Sequence, residues 1–247
     1  MIDLHCHMLP GVDDGAATEE EALLMARVAV DSGVTAVALT PHCNVPEQFN
    51  NYRDPRLEER FRRFEALLRR EDIPLTVYPG MEVFSTPELP RLLDEGALLT
   101  LGGSRYLLVE FAFGESPRFV DDILHRIHLR ELTPVVAHPE RYYFIQDDPR
   151  HLLHWANEGY MLQLNKGSFF GMFGHRAAQA AHWCLDCGCL HLIGSDAHSP
   201  YRRTPRLNDI YDLVADTVSP ETAQLLLHDN PYAILHGGTV YPAMAQF

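Results

Sequence analysis

The sequence is as informative in what it lacks as in what it holds. It lacks an excess of positive charge: 20 Lys and Arg face 34 Asp and Glu, a formal charge of −14 with the histidines neutral. Nucleic acid and anionic membrane surfaces attract positive proteins, so neither is expected as a partner. No apolar run approaches the ~18 residues of a membrane span, so no membrane insertion is expected. Met1-Ile2-Asp3-Leu4-His5 has neither a basic n-region nor an apolar h-region, which predicts no signal peptide and a cytoplasmic location. The five cysteines are odd in number, which suits a reducing compartment better than a disulfide framework. The position six places after each of them is Val12, Phe49, Leu190, Ile193 or Ser195, never arginine. Cysteine-dependent tyrosine phosphatase chemistry, which needs that arginine, is therefore excluded. No GxxxxGK[ST] phosphate loop and no GxSxG nucleophile elbow occurs.

What remains is an ordinary globular composition, 46% hydrophobic and 22% charged over 247 residues. One rhythm runs through the chain: a short apolar run, a loop, a helix with a clear start, then a break. The runs are Ile2–Leu4, Thr35–Leu39, Leu75–Tyr78, Tyr106–Val109, Pro134–Ala137, Met161–Leu164 and Leu190–Ile193. They are rich in Val, Ile and Leu with little alternation, as parallel strands buried on both faces require. Helix starts are marked by Thr18 with Glu21, a capping box, and by Asp54, Thr86, Ser116, Asp148 and Ser219, each followed by proline. No linker or composition shift divides the chain. The expectation is a single α/β domain over residues 1–247, and about seven βα units favour a barrel over an open sheet.

The polar residues at the ends of these runs carry the chemistry. His5 and His7 alternate on the first strand, so both imidazoles face one side. Asp13 and Asp14 lie just beyond. His42 follows the second run and Glu82 the third. Glu110 ends the fourth and His138 the fifth, while Asp196 and His198 end the last. In a parallel barrel the C-terminal strand ends converge on the face that holds active sites. Imidazoles and carboxylates recurring there in successive units predict a shared polynuclear metal site. The other nine histidines lie in helical stretches or beside turns and need no special role. The arginine-rich stretch 53–70 is interleaved with glutamates and reads as a solvated helix face. Cys184, Cys187 and Cys189 read as small apolar residues at a helix end.

Taken together, these motifs resemble the PHP (polymerase and histidinol phosphatase) superfamily. They are Asp3-Leu4-His5-Cys6-His7, Thr40-Pro41-His42, Gly80-Met81-Glu82, Val109-Glu110-Phe111, Ala137-His138-Pro139-Glu140-Arg141 and Ser195-Asp196-Ala197-His198. The stretches His7 to Gly15, His138 to Arg141 and Gly167 to Gly174 are similar to bacterial manganese-dependent protein-tyrosine phosphatases of the CpsB/CapC type. The resemblance implies a distorted, TIM-like (β/α)7 barrel, the PHP fold, holding three divalent ions, Mn²⁺ first and Fe²⁺, Co²⁺ or Zn²⁺ as alternatives. It implies His5, His7, Glu82 and Asp196 on the first ion. Glu82, Glu110 and His138 would hold the second, and Asp14, His42 and His198 the third. Two arginines match Arg141 and Arg203 as catalytic groups. Asp13 competes with Asp14, and Arg202 with Arg203.

The chemistry fits these groups. A phosphomonoester is dianionic, so its nucleophile must approach negative charge. Clustered divalent ions neutralise the phosphate oxygens and acidify water, which predicts attack by a metal-activated hydroxide. Three such ions against four carboxylates would leave the pocket cationic inside an anionic protein. The two arginines would bind the phosphoryl oxygens. A tyrosine leaving group, with a pKa of about 10, needs little protonation. The Lys166–Gly174 loop, rich in glycine and aromatics, is a candidate wall for the phenyl ring. The implied partner is the phosphotyrosine-bearing tail of a bacterial tyrosine kinase that controls capsule or exopolysaccharide synthesis. The alternatives are a PHP phosphoesterase acting on histidinol phosphate or a nucleotide, and a non-catalytic metal-stabilised binding module.

Overall fold

Each apolar run becomes a parallel strand in the computed structural model, which describes residues 1–243; the end of the expected 1–247 domain lies outside the described residues. The strands are β1 (Ile2–Cys6), β2 (Ala36–Leu39), β3 (His42–Cys43), β4 (Thr76–Pro79), β5 (Glu82–Phe84), β6 (Tyr106–Glu110), β7 (Thr133–Ala137), β8 (Met161–Asn165) and β9 (Leu192–Gly194). β3 and β5 were not foreseen. Each resumes the direction of the strand before it after a two-residue break, Thr40-Pro41 or Gly80-Met81. Proline lacks the N–H that a ladder needs, so Pro41 ends the pairing of β2.

The breaks split the ladder in two. β1, β2 and β4 form one sheet, and β3, β5, β6, β7, β8 and β9 the other. Counting β2 with β3 and β4 with β5, seven strand positions follow one another around the molecule, the distorted (β/α)7 arrangement. Where β9 meets β1 the contact is a bridge between Cys6 and Ala197, with Asp196 N–H donating to His5 O at 2.9 Å.

Most helix starts behave as their sequences predict. Thr18, Asp54, Ser116 and Ser219 each accept a backbone N–H three residues on. Two do not. Thr86 instead accepts from the Asn44 side chain at 3.1 Å, and the following helix, Leu89–Asp94, starts without a side-chain cap. Asp148 is drawn to Arg150, whose Nε and Nη2 both donate to it at 2.7 Å.

The apolar interior has two layers. Ile2 and Leu4 of β1, Ala36 and Ala38 of β2, Tyr106 and Leu108 of β6, Val135 and Ala137 of β7, Met161 of β8 and Leu192 of β9 form one cluster. The alternate residues, such as Val37, Leu107, Val136 and Leu162, join the larger cluster beneath the helices. The first parity therefore faces the space the strands enclose. On β6 the same parity continues from Leu108 to Glu110, and on β8 from Met161 to Gln163 and Asn165. On β1 it would continue to Cys6, but a register shift intervenes. Four β1 residues, Asp3 to Cys6, lie against three β2 residues, Val37 to Leu39. This bulge re-aims the strand. Cys6 turns outward into the larger cluster, and His5 and His7 turn inward above Leu4.

Candidate metal centre

Backbone irregularity aims much of the polar set. Besides the β1 bulge, His138, Asp196 and Arg203 hold positive φ values of 35°, 49° and 50°. Such conformations are uncommon for non-glycine residues and concentrate at functional sites. Gly194 clears space below: a Cβ there would lie 2.8 Å from Gln163 Nε2 and 3.0 Å from His5 Cβ.

The imidazoles are oriented from behind. His5 Nδ1 lies 2.6 Å from Gln163 Oε1, and His7 Nδ1 lies 2.8 Å from Asp13 Oδ2. An acceptor on Nδ1 fixes the proton there and leaves Nε2 free to ligate. Asp13 Oδ2 also accepts the His42 N–H at 3.0 Å, and its Oδ1 accepts the Gly15 N–H. Asp14 instead faces the open centre, 3.6 Å from His42 Nε2 and 3.5 Å from His198 Nε2. Asp13 thus holds His7 and the His42 backbone, and Asp14 stands among the candidate ligands. Asn51 donates to both Val12 O and His42 O, at 2.9 and 2.8 Å, and so ties the Asp14 loop to His42.

At the middle lies Glu82, fully buried. Its Oε2 is 3.1 Å from His5 Nε2, 3.2 Å from His7 Nε2 and 3.0 Å from His42 Nδ1. Although so close, Glu82 Oε2 and His42 Nδ1 are misaligned for hydrogen bonding, and both are buried without a partner of that kind among the described residues. Lone pairs converging on one point, rather than donors meeting acceptors, are the arrangement of a cation site. Three sets of donor atoms lie close enough to share an ion: His5, His7, Glu82 and Asp196; His7, Asp14, His42 and His198; and His42, Glu82 and Glu110.

The first set is the one the sequence suggested. The second adds His7 to the expected trio. In the third, His42 takes the place expected for His138. His138 is nonetheless adjacent, with Nε2 2.8 Å from Glu82 Oε1 and 3.6 Å from Glu110 Oε2. All nine expected ligand residues thus come together.

The electrostatics describe a site that demands positive charge. Burial would lower His5 and His42, but the charges of Glu82 with Asp196 or Glu110 outweigh it and raise them to about 9 and about 12. Burial likewise opposes the ionised Asp196, yet His5 and Arg203 hold it well below the carboxylate range. The hydrogen bond from His198 is the main reason that Asp14 falls to about 2.

Two arginines approach this centre. Arg203 Nη2 lies 2.5 Å from Asp196 Oδ2, and Arg141 Nη1 lies 3.7 Å from the same oxygen. Arg202 is exposed and makes no ion pair with the centre among the described residues, so Arg203 is the member at the centre. The Arg141 guanidinium sits between the rings of Phe113 and Phe173, 4.3 and 4.2 Å from their centroids. Cation–π contact with two rings restrains it.

Sequence reasoning missed the supports. Gln163 holds His5, and Asn165 Nδ2 donates to Asp196 Oδ2 at 2.6 Å. Their signal was present: two polar residues at alternate positions in an apolar strand, the logic that singled out His5 and His7. Asp3, buried at the start of β1, accepts from Ser195 Oγ at 2.5 Å and Ser195 N at 3.1 Å, fixing the turn before Asp196. The Lys166–Gly174 loop is partly ordered, with a helical turn over Lys166–Phe169. Ser168 Oγ within it donates to buried Glu140 at 2.5 Å.

The sequence profile of the family described as capsular polysaccharide synthesis, CpsB/CapC, matches residues 1–236. The chain belongs to the CpsB/CapC family. Among relatives of this CpsB/CapC chain, the tyrosine-protein phosphatase YwqE of Bacillus subtilis is 32% identical over 241 residues, covering 98% of this chain and 94% of that protein. The tyrosine-protein phosphatase CpsB of Streptococcus pneumoniae is 28% identical, covering 95% and 98%. A solved structure from work on YwqE and CpsB, described as unique metal-dependent tyrosine phosphatases, superposes with a TM-score of 0.89 at 30% identity over 100% of both chains. No helix among the described residues is long and apolar enough to cross a membrane.

Proposed function

We propose that this CpsB/CapC chain is a metal-dependent protein-tyrosine phosphatase, acting as one catalytic unit over residues 1–247. The observation that carries the reading is the convergence of His5, His7 and His42 on one buried oxygen of Glu82, with two arginines at the same centre. The kinship with named tyrosine phosphatases supplies the substrate class.

The ligands we propose are His5, His7, Asp14, His42, Glu82, Glu110, His138, Asp196 and His198, holding three divalent ions, Mn²⁺ in the first instance. Bound ions would supply Lewis-acid charge to the phosphoryl oxygens and lower the pKa of water in the site. The chain's own residues do the rest. Gln163 and Asp13 keep the His5 and His7 protons on Nδ1, leaving Nε2 as the donor atom. Arg141 and Arg203 would bind phosphoryl oxygens and stabilise the charge that develops in the transition state. Phe113 and Phe173 restrain Arg141 and offer apolar walls to a phenyl ring. A tyrosine leaves as a weakly basic phenolate, which needs little help from a general acid. The partner we propose is the phosphotyrosine-bearing tail of a bacterial tyrosine kinase that controls capsule or exopolysaccharide synthesis, in a cytoplasmic setting.

The test is hydrolysis of p-nitrophenyl phosphate and a phosphotyrosine peptide with Mn²⁺, Co²⁺, Fe²⁺ or Zn²⁺. Activity with at least one ion is expected, with the peptide preferred to histidinol phosphate. Inactivity with all four ions overturns the phosphatase reading, and preference for histidinol phosphate moves it to a small-molecule phosphoesterase. Cys6→Ser should leave the rate unchanged.

A further inference from the structure

Beside the metal centre runs a groove of about 530 Å³ whose lining includes Lys166, Phe170, Met172, Tyr201, Arg202 and Asp209. That volume lies within the ~300–1,000 Å³ typical of ligand clefts. Two residues join the groove to the centre. Arg203 lines it while its guanidinium reaches Asp196, and Phe173 lines it while its ring covers Arg141. A chain whose phosphate rests on these arginines therefore has this groove as an adjoining exit.

The lining is unusual for solvent-facing surface. Phe170, Met172 and Tyr201 are 50%, 55% and 78% exposed, all on one wall system. Scattered exposed apolar residues are ordinary, but a contiguous set beside a site marks a binding surface. Methionine and aromatic rings adapt to varied apolar partners. The lining charges are three cations against one carboxylate, Asp209. Lys166, the only lysine of the chain, is buried and spent on Asp209, 3.2 Å away, and on Arg206 O. That leaves Arg202 at the rim, exposed and with no ion-pair partner among the described residues. In a chain of net charge −14, an unpaired cation at the mouth of an apolar groove favours an anionic occupant with apolar side chains.

We infer that this groove is a subsite for the residues flanking the phosphotyrosine. It selects peptides that carry a large apolar or aromatic side chain within a few positions of it. The inference rests on the phosphatase reading. Phe173 is shared with the phenyl ring, whereas Phe170, Met172 and Arg202 supply binding to the peptide alone, so they act on peptide KM and leave small aryl phosphates unaffected. Met172 and Phe170 form the apolar wall, and Arg202 adds attraction for the peptide's negative charge.

The experiment compares two phosphotyrosine peptides, one flanked by Leu and Phe and one by Gly and Ser, with p-nitrophenyl phosphate on the Mn²⁺-loaded full chain. Binding of non-hydrolysable phosphonate versions is followed by fluorescence polarisation. Wild type should favour the apolar-flanked peptide by about tenfold in kcat/KM, the value of burying one sizeable side chain. Met172→Asp and Phe170→Asp should erase that preference through KM and phosphonate affinity, leaving p-nitrophenyl phosphate turnover within about twofold. Equal kcat/KM for the two peptides in wild type overturns the inference while the phosphatase reading stands. Lack of p-nitrophenyl phosphate turnover in wild type sinks the phosphatase reading itself, and the subsite with it. If Met172→Asp dissolves a dimer in sedimentation and leaves peptide preference intact, the groove belongs to a second copy and the inference fails.

Discussion

The two ends of the strands do opposite work. At the N-terminal end, Ile2, Leu4, Ala38, Tyr106, Leu108, Val135 and Leu192 pack as an apolar floor, all under a tenth exposed. At the C-terminal end, within one or two residues on the same strands, His5, Glu110 and His138 are nearly as buried but polar. The floor gains from burial because apolar surface leaves water. The upper end pays for the same burial, since unpaired polar groups lose hydration. The comparison teaches that one enclosed space carries stability at one end and reactivity at the other, so substitutions at the two ends should separate the two properties.

The largest effect is expected at the upper end. His138→Ala should lower kcat with saturating Mn²⁺ by about three orders of magnitude, roughly 4 kcal/mol of barrier. Metal-free thermal stability should change little. A near-wild-type kcat would remove His138 from the proposed centre. The mirror experiment is Leu108→Ala, fully buried in the floor. It should cost about 3 kcal/mol in urea unfolding by leaving a cavity, while kcat of the folded fraction stays within about twofold. A kcat loss as large as that of His138→Ala would erase the division between the ends.

The supporting layer should give an intermediate result. Gln163→Met removes the acceptor on His5 Nδ1 and keeps the volume. It should weaken metal affinity by about 10- to 100-fold in calorimetric titration, the usual cost of losing such a partner. Unchanged affinity would show that His5 needs no orientation.

The smallest effect sharpens the floor. His191, buried just before β9, accepts the Leu162 N–H on Nδ1 at 3.2 Å, and burial lowers its pKa to about 4. Its unfolded value is about 6.5, so the unfolded chain binds the extra proton between those two values. Stability from this group is complete above pH 6.5 and is lost as the pH falls towards 4, on the order of 1–2 kcal/mol by pH 5. His191→Asn keeps an acceptor without the titration and should flatten that part of the stability–pH curve. An identical slope in the variant would assign the acid sensitivity elsewhere.

Much of the site was legible because strand-end polarity survives in sequence. His5 and His7 obey the period of two, and Glu110 and His138 stand where an apolar run stops. The βα rhythm gave the seven-unit arrangement for the same reason. The remainder depended on backbone paths that residue identities do not encode. Asp13 and Asp14 are chemically alike, and only the turn at Gly15 decides which faces His7 and which the centre. A Cβ on Gly15 would fall 2.0 Å from His7 O, so that turn admits no larger residue. Arg202 and Arg203 are likewise separated by a positive φ at Arg203. The approach of His42 to Glu82 follows from the register of β3 on β5, where the two residues pair. Two residues were too few to read as a strand.

The hitch between Asp3 and Cys6 bears on anyone who would transplant this centre. In an idealised strand, with no extra residue, the pleat that points Leu4 inward would point His5 outward. Copying the ligands onto a regular barrel would thus deliver a leucine where the first imidazole belongs. Deleting one residue within Asp3–Cys6 should do the same to the natural chain. The irregularity is part of the blueprint and has to travel with the histidines.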